Sequence, residues 1–137
     1  MLEIDVFIGL NTQKGFEDQP KVIVNPDPAA AHSGDDIIWH IHSMDDQVQS
    51  VLVDFEDTGD GYFECRDQQP PSNKCHAHLH GKNGGGKGKH GHLLGTAPPL
   101  VDRSVKPSKY TILAFNGPDG KGEVLYKLDP TVVTCDP

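Results

Sequence analysis

Alternation constrains this chain most. In LEIDVFIGL, Leu2, Ile4, Val6 and Ile8 take every second position, with Glu3 and Asp5 between them. An extended chain turns successive side chains to opposite faces, so the four apolar groups share one face and the carboxylates meet water. The same period returns in KVIVNP (Val22, Val24), DIIWHIH (Ile37, Trp39, Ile41), VQSVLVDF (Val51, Val53, Phe55), KYTILAF (Tyr110, Ile112, Ala114) and EVLYKLDP (Val124, Tyr126, Leu128). Turn-forming residues separate these runs: Asn25-Pro26, Ser33-Gly34-Asp35, Gly59-Asp60-Gly61 and Asn116-Gly117-Pro118-Asp119-Gly120. No window of eleven or more residues keeps helical spacing, and 15 glycines with 11 prolines weigh against long helices. The expected class is all-β, a sandwich or small barrel, whose core holds Leu2, Ile4, Val6, Val22, Val24, Ile37, Trp39, Ile41, Val51, Val53, Ile112 and Tyr126.

At 137 residues the chain is the size of one ordinary domain, and residues 1–137 are read as such. From about 65 to 108 the alternation lapses, and this segment is expected to be a long irregular insertion with a functional role. Inside it lies CHAHLHGKNGGGKGKHGH, residues 75–92, in which His76, His78, His80, His90 and His92 cluster around a glycine-rich hinge expected to be flexible.

The net charge of -8 disfavours nucleic acid and anionic membranes as partners, because phosphate neutralisation needs clustered Lys and Arg that carboxylates do not outweigh. The first twenty residues contain no apolar run long enough for a signal peptide or a membrane span, which leaves a cytoplasmic protein or a mature periplasmic or extracellular form. Three cysteines, Cys65, Cys75 and Cys135, are compatible with a short-loop Cys65–Cys75 bridge or with three free thiols in a reducing compartment.

Metal binding is the chemistry the histidines point to. Apart from His32, every histidine stands in a His-x-His spacing: His40 with His42, the run His76, His78 and His80, and His90 with His92. On a strand, residues i and i+2 point the same way about 6 to 7 Å apart, so two imidazoles can converge on one ion. His40 and His42 fall on the face opposite Ile37, Trp39 and Ile41. They are expected either to ligate an ion together with insertion histidines or to decorate a polar face hydrogen-bonded to Asp45 or Asp46. The candidate ligands are His40, His42, Cys75, His76, His78, His80, His90 and His92, for zinc, copper or nickel, and a Cys75 thiolate would bias the site toward zinc or Cu(I).

Two family resemblances bear on this. VIVNPDPAAAHSGDDIIWHIHS and YTILAFNGPDGKGEVLYKLDP resemble, respectively, the middle and the closing strand pair of a cupredoxin, which implies a Greek-key β-sandwich. In that family a blue copper site draws Cys, His and Met from the loop between the last two strands. Here that loop reads AFNGPDGKG and holds none of them, so the resemblance implies a cupredoxin-like domain without type 1 copper. Gly34 through His42 also resembles the first half of a cupin signature, a glycine followed by five residues and His-x-His, with Asp46 where a metal-binding Glu is usual. The later histidine of that signature is missing, since none follows His92.

Other motifs carry less. GKNGGGK, residues 81–87, has Gly88 where a phosphate-binding loop needs Ser or Thr. Asp54, Glu56, Asp57, Asp60 and Glu64 lack the spacing of a calcium loop and read as a solvated hairpin turn. The expected function is metal binding, handling or sensing by the histidine-rich insertion; the alternatives are a cupin-like metalloenzyme using His40 and His42, or a protein-interaction module.

Overall fold

The computed structural model describes residues 2–9, 22–32, 34–55, 64–65, 74–81, 88–97 and 106–135. Their strands, in chain order, are β1 (Leu2–Ile8), β2 (Val22–Asn25), β3 (Ala29–His32), β4 (Asp36–Ser43), β5 (Ser50–Asp54), β6 (Glu64–Cys65), β7 (Lys74–His78), β8 (His80–Gly81), β9 (Lys89–Thr96), β10 (Lys106–Lys109), β11 (Thr111–Phe115), β12 (Val124–Leu128) and β13 (Thr131–Cys135). The helical content among these residues is one 3-10 turn at Pro118–Gly120, and no helix there is long and apolar enough to cross a membrane.

The strands form an all-β sandwich with mixed pairing, the chain crossing repeatedly between layers in Greek-key fashion. The larger sheet runs β2-β1-β4-β9, with β6 and β8 both on the outer side of β9. A smaller sheet runs β12-β11-β5-β7, and a third ladder runs β10-β13-β3. The β1–β4 pair is parallel although both strands lie in the first third of the chain, because β2 and β3 intervene. Its register sets Ile4 beside Trp39 and Asp5 beside His40.

Burial follows the alternation. Ile4, Val6 and Ile8 of β1, Ile37, Trp39 and Ile41 of β4, and Val51 and Val53 of β5 are all inaccessible to solvent, and Ile112 and Ala114 of β11 join them. At the centre, Trp39 lies 5.4 Å from Phe55 and 5.9 Å from Tyr110, ring to ring, and its Nε1–H donates to the Tyr110 hydroxyl at 3.3 Å. Ala29, Ala31 and Val132 close the same core from the third ladder. The expected core members Leu2 and Tyr126 are half-buried at its margin.

Two expectations need correction. Where it is described, the segment 65–108 is strand rather than irregular chain: β7, β8 and β9 lie in it and β10 begins in it, and β9 pairs along the whole length of β4 near the middle of the larger sheet. Its inward positions are filled by small residues, Cys75 and Ala77 on β7 and Gly95 on β9, so the apolar alternation is faint in the sequence. On β12 the alternation of Val124, Tyr126 and Leu128 does not carry through to burial, and Val124 is 50% exposed, where the β11–β12 register shifts between Ala114 and Phe115 on an edge strand. The glycine-rich residues 82–87 and the turn at 59–61 lie outside the described residues, as does the side chain of Cys135.

Candidate metal centre

The outward positions of three adjacent strands of the larger sheet carry the chemistry. β1 presents Glu3, Asp5 and Phe7; β4 presents Ile38, His40 and His42; β9 presents His90, His92 and Leu94. Parallel pairing of β1 with β4 and antiparallel pairing of β4 with β9 line these up into two rungs. One rung reads Asp5, His40, His92. The next reads Phe7, His42, His90, and continues onto β8 with His80. Residues from positions 5 to 92 of the chain thus meet on one exposed face only because two long-range registers agree.

Within the second rung the imidazoles of His42 and His90 sit edge to face, ring centroids 5.2 Å apart, with their Nδ1 atoms 3.1 Å from each other. The other ring nitrogen of His42, Nε2, donates to Asp5 Oδ1 at 3.4 Å, and Phe7 stacks on the same ring at 5.0 Å and 18°. With its proton on Nε2 toward the carboxylate, His42 keeps a lone pair on Nδ1, and this is how carboxylates orient metal-binding imidazoles. His40 is held separately, its Nε2 3.1 Å from Glu3 Oε1. Side chains of both histidines are about a third exposed, 36% for His40 and 35% for His42, so these carboxylate contacts fix orientation more than they stabilise the fold.

Glycine at 91 matters to this arrangement. A Cβ there would lie 2.8 Å from Leu79 Cδ2 and 3.1 Å from the His78 carbonyl, so its absence lets the β7–β8 corner pack against β9 between the two outward histidines. That corner sets His78 against His80, rings 4.9 Å apart and nearly perpendicular. His76, two residues earlier, belongs to the smaller sheet and rests against the 3-10 turn, where a Cβ on Gly120 would come within 2.8 Å of its Cε1.

The expected ligand set is therefore divided. His40, His42, His90, His92 and His80 share one sheet face, His78 stands at its corner, and His76 is turned away from it. Cys75 leaves the set altogether: its sulfur is bonded to that of Cys65, with the Cα atoms 5.5 Å apart, and the residue is 1% exposed. A buried disulfide sulfur offers no thiolate, so the expected thiolate bias toward zinc or Cu(I) disappears. The bridge joins β6 of the larger sheet to β7 of the smaller, stapling the layers.

Neither Asp45 nor Asp46 is hydrogen-bonded to His40 or His42, whose carboxylate partners are Glu3 and Asp5. Asp45 accepts from the Tyr126 hydroxyl at 2.8 Å and from the backbone N–H of Gln47 at 2.9 Å, while the Asp46 carbonyl accepts from Lys89 Nζ at 2.8 Å. They line an open, polar cleft of about 410 Å³ with Gly9, Met44, Gln47 and Tyr126. Partial burial and the Asp45 carboxylate push the Tyr126 phenol up to about 12. The carboxylates that do meet the histidines, Glu3 and Asp5, come from β1. Their outward direction was legible in the alternation, but their neighbourhood was not.

Among the described residues, no three His, Cys, Asp or Glu side chains already converge on one point. What stands ready is a pair. Zinc–nitrogen bonds of about 2.0 to 2.1 Å at angles near 90 to 110° separate two nitrogens by roughly 2.8 to 3.4 Å, and 3.1 Å falls inside that range.

No protein-family model and no curated protein matches this chain. A similar solved structure is that of Fet3p, a multicopper oxidase that functions in iron import, with a TM-score of 0.47 and 8% identity; the match covers 98% of this chain and 27% of that one. The chain spans about a quarter of the length of that protein.

Proposed function

We propose that this protein binds a divalent transition metal, zinc, Cu(II) or nickel, on the outer face of its larger sheet, with His42 and His90 as the anchoring pair, and serves in metal handling or sensing. The observation that carries this reading is the 3.1 Å approach of the two Nδ1 atoms with Asp5 behind the His42 ring. In the apo protein one of the facing nitrogens donates a proton to the other; an ion replaces that proton, and His90 shifts its own proton to Nε2. All-nitrogen donors suit these borderline cations, and the Cys65–Cys75 bridge leaves no thiolate in the ligand set. His40, His80 and His92 flank the pair on the same face. A blue copper centre forms no part of this reading, since AFNGPDGKG between β11 and β12 contains no Cys, His or Met. The cupin-like alternative, in which His40 and His42 serve one ion, is weakened by their separate carboxylate partners, Glu3 and Asp5.

The test is a titration of zinc, Cu(II) and nickel into untagged protein, followed by heat and by melting temperature. A metal that binds only the folded state stabilises it by about 2.7 kcal/mol at a hundredfold excess over Kd. Wild type and His76→Ala should gain this stabilisation, and the His42→Ala/His90→Ala double variant should lose most of it. Equal gains in all three proteins would refute the assignment.

A further inference from the structure

Resting on that metal-binding reading, we infer that the ion is shared between two copies of this chain, so that metal converts a monomer into a homodimer joined face to face across the larger sheets. The pair His42 and His90 supplies two nitrogens, whereas zinc in a closed protein site takes four ligands in a tetrahedron. Among the described residues no third ligand already converges with the pair: Asp5 occupies the opposite nitrogen of the His42 ring, His40 is directed to Glu3, and His80, beside His90 on the rung, is set against His78. Two ligand positions therefore face outward.

The surroundings of the pair say what fills them. His90 is exposed, and the pair lies on a sheet face rather than in a cleft, so a second sheet can approach it closely. A twofold axis through the ion makes the contact isologous, the same patch on both partners, and the copy's His42 and His90 then close an N4 tetrahedron. The ion is also what makes the contact possible. Each chain carries a formal charge of -8, Glu3 and Asp5 stand on this face, and the large exposed apolar side chains among the described residues, Met44 and Val124, lie off the outward positions of β1, β4 and β9. Two such faces repel until a cation is placed between them. His40 and His92 flank the ion on the adjoining rung of each copy, which puts polar, hydrogen-bonding groups rather than bare carboxylates at the rim of the contact.

Sedimentation of the full, untagged chain with zinc alone as the probe decides the matter. With EDTA the chain should sediment as a 14.9 kDa monomer. With half an equivalent of zinc it should sediment at twice that mass, with equilibrium dialysis giving one zinc per two chains, and EDTA should restore the monomer. His42→Ala and His90→Ala, each checked for native circular dichroism, should stay monomeric at that zinc concentration, and His76→Ala should dimerise as wild type does. Zinc bound one per chain on a monomer would overturn the shared site while leaving metal binding intact. A dimer that persists in EDTA, or in both histidine variants, would overturn the bridge. No zinc bound by wild type would remove the metal-binding reading itself.

Discussion

Removing the indole nitrogen from the centre of the core, by Trp39→Phe, should destabilise the protein through a bond whose partner can be removed independently. Trp39 is fully buried and Tyr110 is 2% exposed, so their 3.3 Å hydrogen bond lies in a dry, aromatic environment beside Phe55. Either single deletion strips a buried polar group of that partner, a loss of about 1 to 3 kcal/mol. Tyr110→Phe removes little else, and its cost should fall in that range. Trp39→Phe adds the shrinkage of the ring, and Trp39→Ala, which empties the site, should reach about 3 to 5 kcal/mol. In the double variant Trp39→Phe/Tyr110→Phe both polar groups are gone together, so adding Tyr110→Phe to Trp39→Phe should cost much less than it does alone. The coupling energy should lie between about 0.5 and 3 kcal/mol. Guanidinium melts followed by far-ultraviolet circular dichroism suit the measurement, because Trp39 is the sole tryptophan and its fluorescence disappears with it. If Tyr110→Phe costs the same in both backgrounds, the bond contributes nothing and the core is held by ring packing alone.

Reducing the Cys65–Cys75 bridge, whose partners are 10 positions apart, should cost about 2 to 3 kcal/mol in the chain-entropy model, read as a lower guanidinium midpoint with reductant; an unchanged midpoint would contradict it. Gly91→Ala should cost about 1 to 3 kcal/mol by crowding Leu79 and the His78 carbonyl, and should weaken zinc binding as well if the β7–β8 corner moves; a neutral melt would show that the corner is loosely held. Stability should fall as pH rises above about 10. Unfolded tyrosines ionise near that value, while burial raises the Tyr110 phenol and both burial and Asp45 raise Tyr126 to about 12, so the unfolded chain releases its protons first. The stabilisation is whole below pH 10 and fades toward pH 12; Tyr126→Phe should flatten that slope in pH-dependent denaturant melts.

The strands legible in the sequence were those whose inward side chains are large. β1 and β4 declare themselves through Ile4, Val6, Ile37 and Trp39, and β11 through Ile112. β9 hides because its inward positions are Gly91, Leu93 and Gly95, so KHGHLLGT reads as a polar, glycine-rich loop although it spans the sheet. β7 hides for a related reason, with Cys75 and Ala77 inward and three charged or imidazole groups outward. For the site, the identities of the imidazoles could be read directly, but their partners could not. Which carboxylate meets His42 depends on the parallel register of β1 with β4, a long-range property that local periodicity does not encode. The Cys65–Cys75 pairing was one of two options in the sequence, the other being free thiols, because only the fold brings β6 and β7 to face each other across the layers.

In β4 the order Trp39, His40, Ile41, His42 interleaves two unrelated tasks on a single ribbon. Deleting one residue at the start of this strand would exchange every side: the imidazoles would be driven inward against Phe55 and Tyr110, and the indole would be turned out to water. Ligands and core are thus locked to one reading frame of the backbone. A lineage carrying this strand can replace either histidine without disturbing the core, since both face out, yet it can add or lose length there only two residues at a time.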